Sequence, residues 1–316
     1  MRHHATLRYV DAIARHGSIR RAADALAITP SALNRRLLAL EQELGTPLFE
    51  RLARGVRLSA AGELFLHHAR RQMADMGRVR ATIEDMKGAR RGHVAIAFDR
   101  SLSPIGLAEL IAAHRAEHPG VSFAVLPCDR ADAVAMLEDY SADLALVVAP
   151  DHATALSTLA TLAMRLDAVV RAGHRLATLD AVRLHQLASY PLVLPPPGRS
   201  ARFVLEVAAA RRDVRLDPAV VADRDLSRTL LPGSDAVAVE LRVASEPRPA
   251  AAKGDGTGGS DPREAVPAFA TTPLHEADIP EVALHLGQLR DRALPVPAAR
   301  FAETLRRRMD ALSDEP

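Results

Sequence analysis

Tryptophan is absent from the 316 residues, tyrosine occurs three times, and there is one cysteine, Cys128. A single cysteine excludes an internal disulfide framework and any zinc site built on cysteine pairs. So few aromatic rings leave little surface on which single-stranded bases could stack. Long apolar runs are missing as well. The longest, such as DLALVVAP at 143–150, have strand length, so no membrane span is expected. The opening MRHHATLRYV lacks the apolar core of a signal peptide, which predicts a cytoplasmic protein. No Gly-rich phosphate loop occurs. The adjacent imidazoles of His3 and His4, and of His67 and His68, would leave a helix on different faces, which chelation cannot use. Neither a metal nor a cofactor is expected, and no enzyme chemistry.

What is present is a chain with 48% hydrophobic and 25% charged residues, able to bury real cores and long enough for two or three domains. Its charge is polarised. Residues 1–92 hold 17 Lys and Arg against 9 Asp and Glu, a net of +8, whereas residues 93–316 hold 24 against 30, a net of −6. A grip on phosphates needs basic character in one domain only, and the amino-terminal third has it.

Local pattern sharpens this. Leu7, Val10, Ile13 and Ala14 make one helical stripe, stopped at HGS, where Gly17 suits a C-terminal cap and Ser18 the next N-cap. Ile19, Ala22, Ala23 and Leu26 form the apolar face of a second helix. Thr29 caps a third, with Pro30 in its first turn, where a missing N–H costs nothing. Leu33, Leu37, Leu40 and Leu44 recur at four, three and four residues and are expected to face the core, which turns Ser31, Asn34 and Arg35 outward. Helix, three-residue turn, helix is a helix-turn-helix, whose second helix enters the major groove of DNA. Arg35 can donate twice to a guanine edge and Asn34 can pair with adenine, while Ser31 and the first N–H groups would fix register on a phosphate. Thr29, Pro30 and Arg36 are expected to contact the DNA as well. In LFERLARGVRLS two short strands flank a turn at Gly55, with Arg51, Arg54 and Arg57 at or beside the tip, a wing whose arginines suit a narrow minor groove.

Residues 59–88 read as one long helix capped by Ser59. Phe65, Ala69, Gln72, Met76, Val79, Ile83 and Met86 recur at spacings of four and three, a heptad seam expected to pair with a second copy of the chain. A two-fold dimer presents two recognition helices, so its DNA site should be an inverted repeat.

Residues 17–70, through AADALAITPSAL, LEQELGTPLFER and RLSAAGE, resemble the LysR-type transcriptional regulators. The resemblance implies an N-terminal all-α winged helix-turn-helix with a long dimerising linker helix. It also implies a C-terminal α/β effector domain of two lobes, like that of periplasmic binding proteins, and assembly as homodimer or homotetramer. Double-stranded DNA, a small-molecule effector and RNA polymerase are the other partners it implies, with no membrane. Two positions depart from the family pattern: Pro30 stands where Gln is common, and Asn34 where Ser is common. Base preference there cannot be borrowed.

Beyond residue 92 strand and helix alternate: HVAIAFD, PIGLAELIAAHRAEH, VSFAVLP, RADAVAMLEDY and DLALVVAP. Continuous apolar strands in such alternation predict a parallel sheet covered on both faces. The expected division is 1–59 for DNA binding, 60–92 for linker helix and hinge, and 93–316 for the effector domain, with lobe 1 at 93–164 and 286–316 and lobe 2 at 165–285. The chain returns to lobe 1 near VALHLGQL and closes with VPAARFAETLRRRM. A ligand between the lobes would meet three loops at strand ends: Ser101, Leu102 and Ser103; Cys128 and Asp129; and Arg199, Ser200 and Arg202. Serine hydroxyls with Arg202 would suit a carboxylate. Cys128 itself reads as a small packed residue at a strand end.

One stretch fits poorly. ASEPRPAAAKGDGTGGSDPREAVPAFATTP has too little apolar area to offset its ordering entropy, which predicts mobility over 245–272 and a second lobe short of material. The alternative reading is therefore a DNA binder whose effector domain is degenerate and answers to no ligand.

Overall fold

Up to residue 86 apolar side chains recur every three or four residues; after residue 92 they come in strands alternating with helices. The computed structural model follows that change and describes residues 2–86, 92–102, 106–151, 153–246 and 269–314. Helices α1 (Arg2–His16), α2 (Ile19–Ala25) and α3 (Pro30–Leu44) bury Val10, Ile13, Ala22, Ala23, Leu33 and Leu37 in one core. Alanine at 22 and 23 lets α2 cross its neighbours closely. The Ser18 and Thr29 hydroxyls accept from the backbone N–H groups of Arg21 (3.5 Å) and Ala32 (3.3 Å), satisfying donors that a helix start leaves orphaned. Of the four leucines expected on the core face of α3, Leu33 and Leu37 are buried, Leu40 is half-buried and Leu44 is exposed, because the helix outruns the small domain beneath it.

Strands β1 (Phe49–Leu52) and β2 (Gly55–Leu58) pair antiparallel as the wing. Gly55 sits at φ 96°, and a Cβ there would lie 2.3 Å from the Gly17 carbonyl oxygen. That oxygen accepts from the Val56 N–H at 3.0 Å, so the wing is pinned to the α1–α2 turn by a contact only glycine permits. Ser59 then caps α4 (Ala60–Met86), its hydroxyl accepting from the Gly62 N–H at 3.0 Å. At 27 residues α4 is about 40 Å long. Arg70 on it holds Asp11 of α1 at 2.8 Å and also pairs with Asp139 in the following domain.

That domain opens with β3 (Gly92–Asp99), α5 (Leu107–Glu117), β4 (Val121–Cys128), α6 (Asp132–Glu138) and β5 (Leu144–Val148), in which β3 lies parallel between β4 and β5. The 16-residue β6 (Leu156–Arg171) then crosses to the second lobe, built from α7 (Leu184–Leu187), β7 (Leu192–Leu194), α8 (Ser200–Arg211), β8 (Pro218–Val221), α9 (Arg224–Leu230) and β9 (Val237–Val243). After β10 (Phe269–Pro273), strand β11 (Val282–Leu289) and helix α10 (Val296–Asp314) return to the first lobe. Sheet order is β4-β3-β5-β11-β6-β9-β7-β8, with β10 also on β6. Met164 is the crossing point, paired with Val282 of β11 and with Val243 of β9.

Two expectations are corrected here. The sheet is parallel in β4-β3-β5, where strand and helix alternate, but mixed as a whole: β11 runs antiparallel to β5 and β6, and β9 and β10 run antiparallel to β6, because the chain doubles back along β6 instead of crossing over by a helix each time. The stretch expected to be mobile is ordered at both ends. Ser245 donates to the Leu312 carbonyl and Arg165 donates to that of Glu246 (2.9 Å), while 269–273 form β10 against Asp167–Arg171 with Ala270 and Thr272 buried. Residues 247–268 lie outside the described residues. Among the described residues no helix is long and apolar enough to cross a membrane.

Candidate nucleic-acid interface and inter-lobe cleft

The start of α3, the start of α2 and the wing enclose a shallow groove lined by Ser18, Ile19, Arg20, Pro30, Ser31, Asn34, Arg51, Leu52, Gly55 and Val56. The core decides which side chains reach it. With Ala22, Ala23, Leu33 and Leu37 inward, Arg20, Ser31 and Arg35 are exposed and Asn34 is half-buried at the groove. Pro30, Ser31, Asn34 and Arg51 are thereby brought together, with Arg35 exposed one residue further along α3. Thr29 is occupied as the cap and shares a 3.3 Å hydrogen bond with the Ser31 hydroxyl. Arg36 turns away: its guanidinium donates to the Tyr9 hydroxyl and stands 5.0 Å from that ring centroid, so it braces α3 against α1. On the wing Arg54 is exposed, whereas Arg57 pairs with Glu50 at 2.6 Å, and that hydrogen bond raises its pKa above the usual arginine value. Sequence reasoning missed Ser18 and Arg20 as groove residues. Their signal was the Ala22–Ala23 face, which sets the opposite face of α2 toward solvent.

Along α4 the expected seam divides. Phe65 packs against the winged-helix core and Ala69 is buried, while Gln72, Met76, Val79 and Ile83 are exposed. The side chain of Met86 is outside the described residues. One face runs the length of the helix, but the helix is much longer than the domain covering its start, so that face emerges from its own domain after the third turn.

Between the lobes, α8 points its first turn at the carboxyl ends of β3, β4 and β5. Asp99, fully buried at the end of β3, accepts from the Ser101 N–H (2.8 Å), the Val148 N–H (3.2 Å) and the Ser200 hydroxyl. Burial pushes its carboxyl above the ordinary value against those hydrogen bonds. The one Ser200 hydroxyl proton is shared with the Val148 carbonyl at 3.1 Å, and the Ala201 N–H donates to the Ser101 hydroxyl at 3.2 Å. Arg199 pairs with Asp129 of the first lobe and with Asp223 of the second (3.0 Å); against the desolvation of its burial, both carboxylates raise its pKa. Glu240 is buried and held by Arg228 at 2.8 and 2.9 Å and by Arg224 at 3.2 Å. The cavity left among Arg100, Ser101, Arg199, Asp223, Arg224 and Glu240 is about 30 Å³, room for roughly one water.

Of the residues expected around a ligand, Ser101, Asp129, Arg199 and Ser200 meet at this junction. Leu102 is instead buried in the core of the sheet, and Cys128 packs beneath β3 with Ala97, Ala133 and Val147. Burial first, then the carboxylates of Asp99, Asp132 and Asp129, push the Cys128 thiol up to about 12. Arg202 is nearly buried and paired with Glu206 on its own helix. Ser103 lies outside the described residues. Asp99, Asp223, Arg224 and Glu240 were not anticipated; a lone aspartate closing the apolar run HVAIAFD was the one available hint. Among the described residues no group of three His, Cys, Asp or Glu side chains is placed to hold a metal ion.

Comparison with known proteins gives two family matches: the bacterial regulatory helix-turn-helix protein, lysR family, over residues 4–63, and the LysR substrate binding domain over residues 87–244. The second covers half the chain and ends as β9 gives way to the poorly fitting stretch. The chain is similar to the RuBisCO operon transcriptional regulator of Allochromatium vinosum, 30% identical over 200 residues, which span 63% of this chain and 66% of that protein, just under two thirds of its length. Its fold is similar to that of a full-length OxyR variant from Pseudomonas aeruginosa (TM-score 0.67, 16% identity, 99% of each chain). It is also similar to that of full-length CbnR complexed with its target DNA (TM-score 0.61, 21% identity, 96% of this chain and 99% of that one).

Proposed function

The chain belongs to the LysR family of bacterial helix-turn-helix regulators, and on that premise we propose that it is a sequence-specific transcription regulator of the cytoplasm. In this reading residues 1–59 bind DNA, 60–92 pair two copies, and 93–316 sense a small polar effector between the lobes. The observation that carries the reading is the groove at the start of α3. There Ser31 and Asn34, at the capped start of α3, line one groove with Arg20 and Arg51, and Arg35 is exposed beside them. Arginines flanking a helix tip are suited to phosphates on either side of a major groove, and the polar residues between them to base edges. A dimer or tetramer would set two such tips on an inverted repeat. Matched relatives carry the names of regulators rather than enzymes.

Competition binding with purified full-length protein tests the assignment. Arg35→Ala is expected to relax preference at one base pair, costing about 1–3 kcal/mol of discrimination. Arg54→Ala is expected to weaken all duplexes alike and flatten the dependence of affinity on salt by about one charge. An Arg35→Ala protein that still picks the same site with wild-type discrimination would sink the assignment of base readout.

A further inference from the structure

The inter-lobe junction is where a small acid would be expected to bind, yet the protein has already supplied the acid. Arg199 is nearly buried there and carries Asp129 from the opposite lobe; Asp99 serves the first turn of α8 through Ser200, and Ser101 takes the Ala201 N–H. Arg130 of the first lobe lies over the Phe203 ring of α8, 3.6 Å from its centroid. Four residues of the second lobe, 199–201 and 203, are thus tied across to Asp99, Ser101, Asp129 and Arg130 of the first. The cavity beside them is about 30 Å³.

Resting on the reading of this cleft as the effector site, we propose that Asp129 is a built-in stand-in ligand. It latches the cleft shut through Arg199, and a carboxylate effector binds by displacing it, which loosens the lobes rather than drawing them together. The two partners differ in a way that fixes which one moves. Arg199 has 9% of its side chain exposed and a second carboxylate, Asp223, on its own lobe, whereas Asp129 keeps 35% of its side chain in solvent. The guanidinium is therefore anchored, and the carboxylate can leave into water. Displacement exchanges one carboxylate on Arg199 for another, so the buried cation is never left without a partner. Asp99, with no exposure at all and three donors, stays behind as a fixed seat for α8.

Amide hydrogen exchange on the full-length protein reads the latch directly. Asp129→Asn is expected to speed exchange in the first turn of α8 about tenfold or more, the loss of one charge-assisted bond across the junction. Asp223→Asn removes a carboxylate from the same arginine within one lobe and is expected to leave that exchange near the wild-type rate. Sodium benzoate at millimolar concentration, with matched sodium chloride as control, should speed exchange in the wild type and add little in Asp129→Asn. Unchanged exchange in Asp129→Asn overturns the latch. Slower exchange on adding benzoate overturns displacement, since the acid would then clamp the lobes. If Asp129→Asn loosens α8 but benzoate alters neither protein, displacement by a carboxylate is refuted and the latch stands alone, as expected of a regulator whose cleft answers to no acid.

Discussion

Cys128 is the only thiol, and its surroundings decide what it can do. It has 3% of its surface exposed, and the aspartates around it add to the cost of charging the sulfur. A thiol held near 12 carries about a thousandfold less thiolate at pH 8 than an ordinary one, and the thiolate is the reactive species. Iodoacetamide at pH 8 is therefore expected to leave the native chain unlabelled over a time in which the urea-unfolded chain is fully alkylated, as read by intact mass. Labelling of the native chain at the unfolded rate would show that the sulfur is accessible and ionised. The packed strand-end residue was legible in sequence because it depends on an apolar neighbourhood a few residues wide. So were the caps Ser18, Thr29 and Ser59, each bonded three residues on. The pairing of Asp129 with Arg199, 70 residues apart, was not: each residue looked like a ligand contact, and only the fold shows that they neutralise each other.

Elements follow the same division between near and far. The helices of the winged domain and the strands β3, β4 and β5 were readable because 3.6-residue and continuous apolar patterns are local. The antiparallel placement of β11 and β10 beside β6 was not, since it depends on which free edge the returning chain finds. FATTP at 269–273 looked like the tail of a linker and became a strand because the edge of β6 offered it both hydrogen bonds and a hydrophobic floor. The turn between α2 and α3 carries a testable strain. Ala27 sits at φ 54°, in the left-handed region that costs an ordinary residue about 1–2 kcal/mol. Ala27→Gly removes that cost but loosens the unfolded chain. The net expectation is a winged domain more stable by about 0.5–1 kcal/mol, seen as slower amide exchange in Ala22, Ala23, Leu33 and Leu37. Faster exchange at those four amides would mean that the turn is not strained.

At the scale of the molecule, a basic amino-terminal third and an acidic body make sense if many copies of the first are to meet one polyanion while the second stays clear of it. Each winged domain offers a single groove, and two grooves held at a fixed spacing would read two half-sites instead of one. The exposed part of α4 is the element able to hold them. Met76, Val79 and Ile83 stand on one face at spacings of three and four, each more than 40% exposed, on a helix projecting past its own domain. We propose that these apolar side chains meet their own copies in a second chain, with Gln72 at the inner end to favour one register. Val79→Asp combined with Ile83→Asp puts four like charges into such a seam. It is expected to halve the mass of the assembly in sedimentation and to cut affinity for an inverted repeat by about 10²–10⁴-fold, the avidity lost when two sites are no longer linked. Affinity for an isolated half-site should stay within about threefold of wild type, because no groove residue is touched. A double variant that keeps wild-type mass and still prefers the inverted repeat would place the pairing surface elsewhere on the chain.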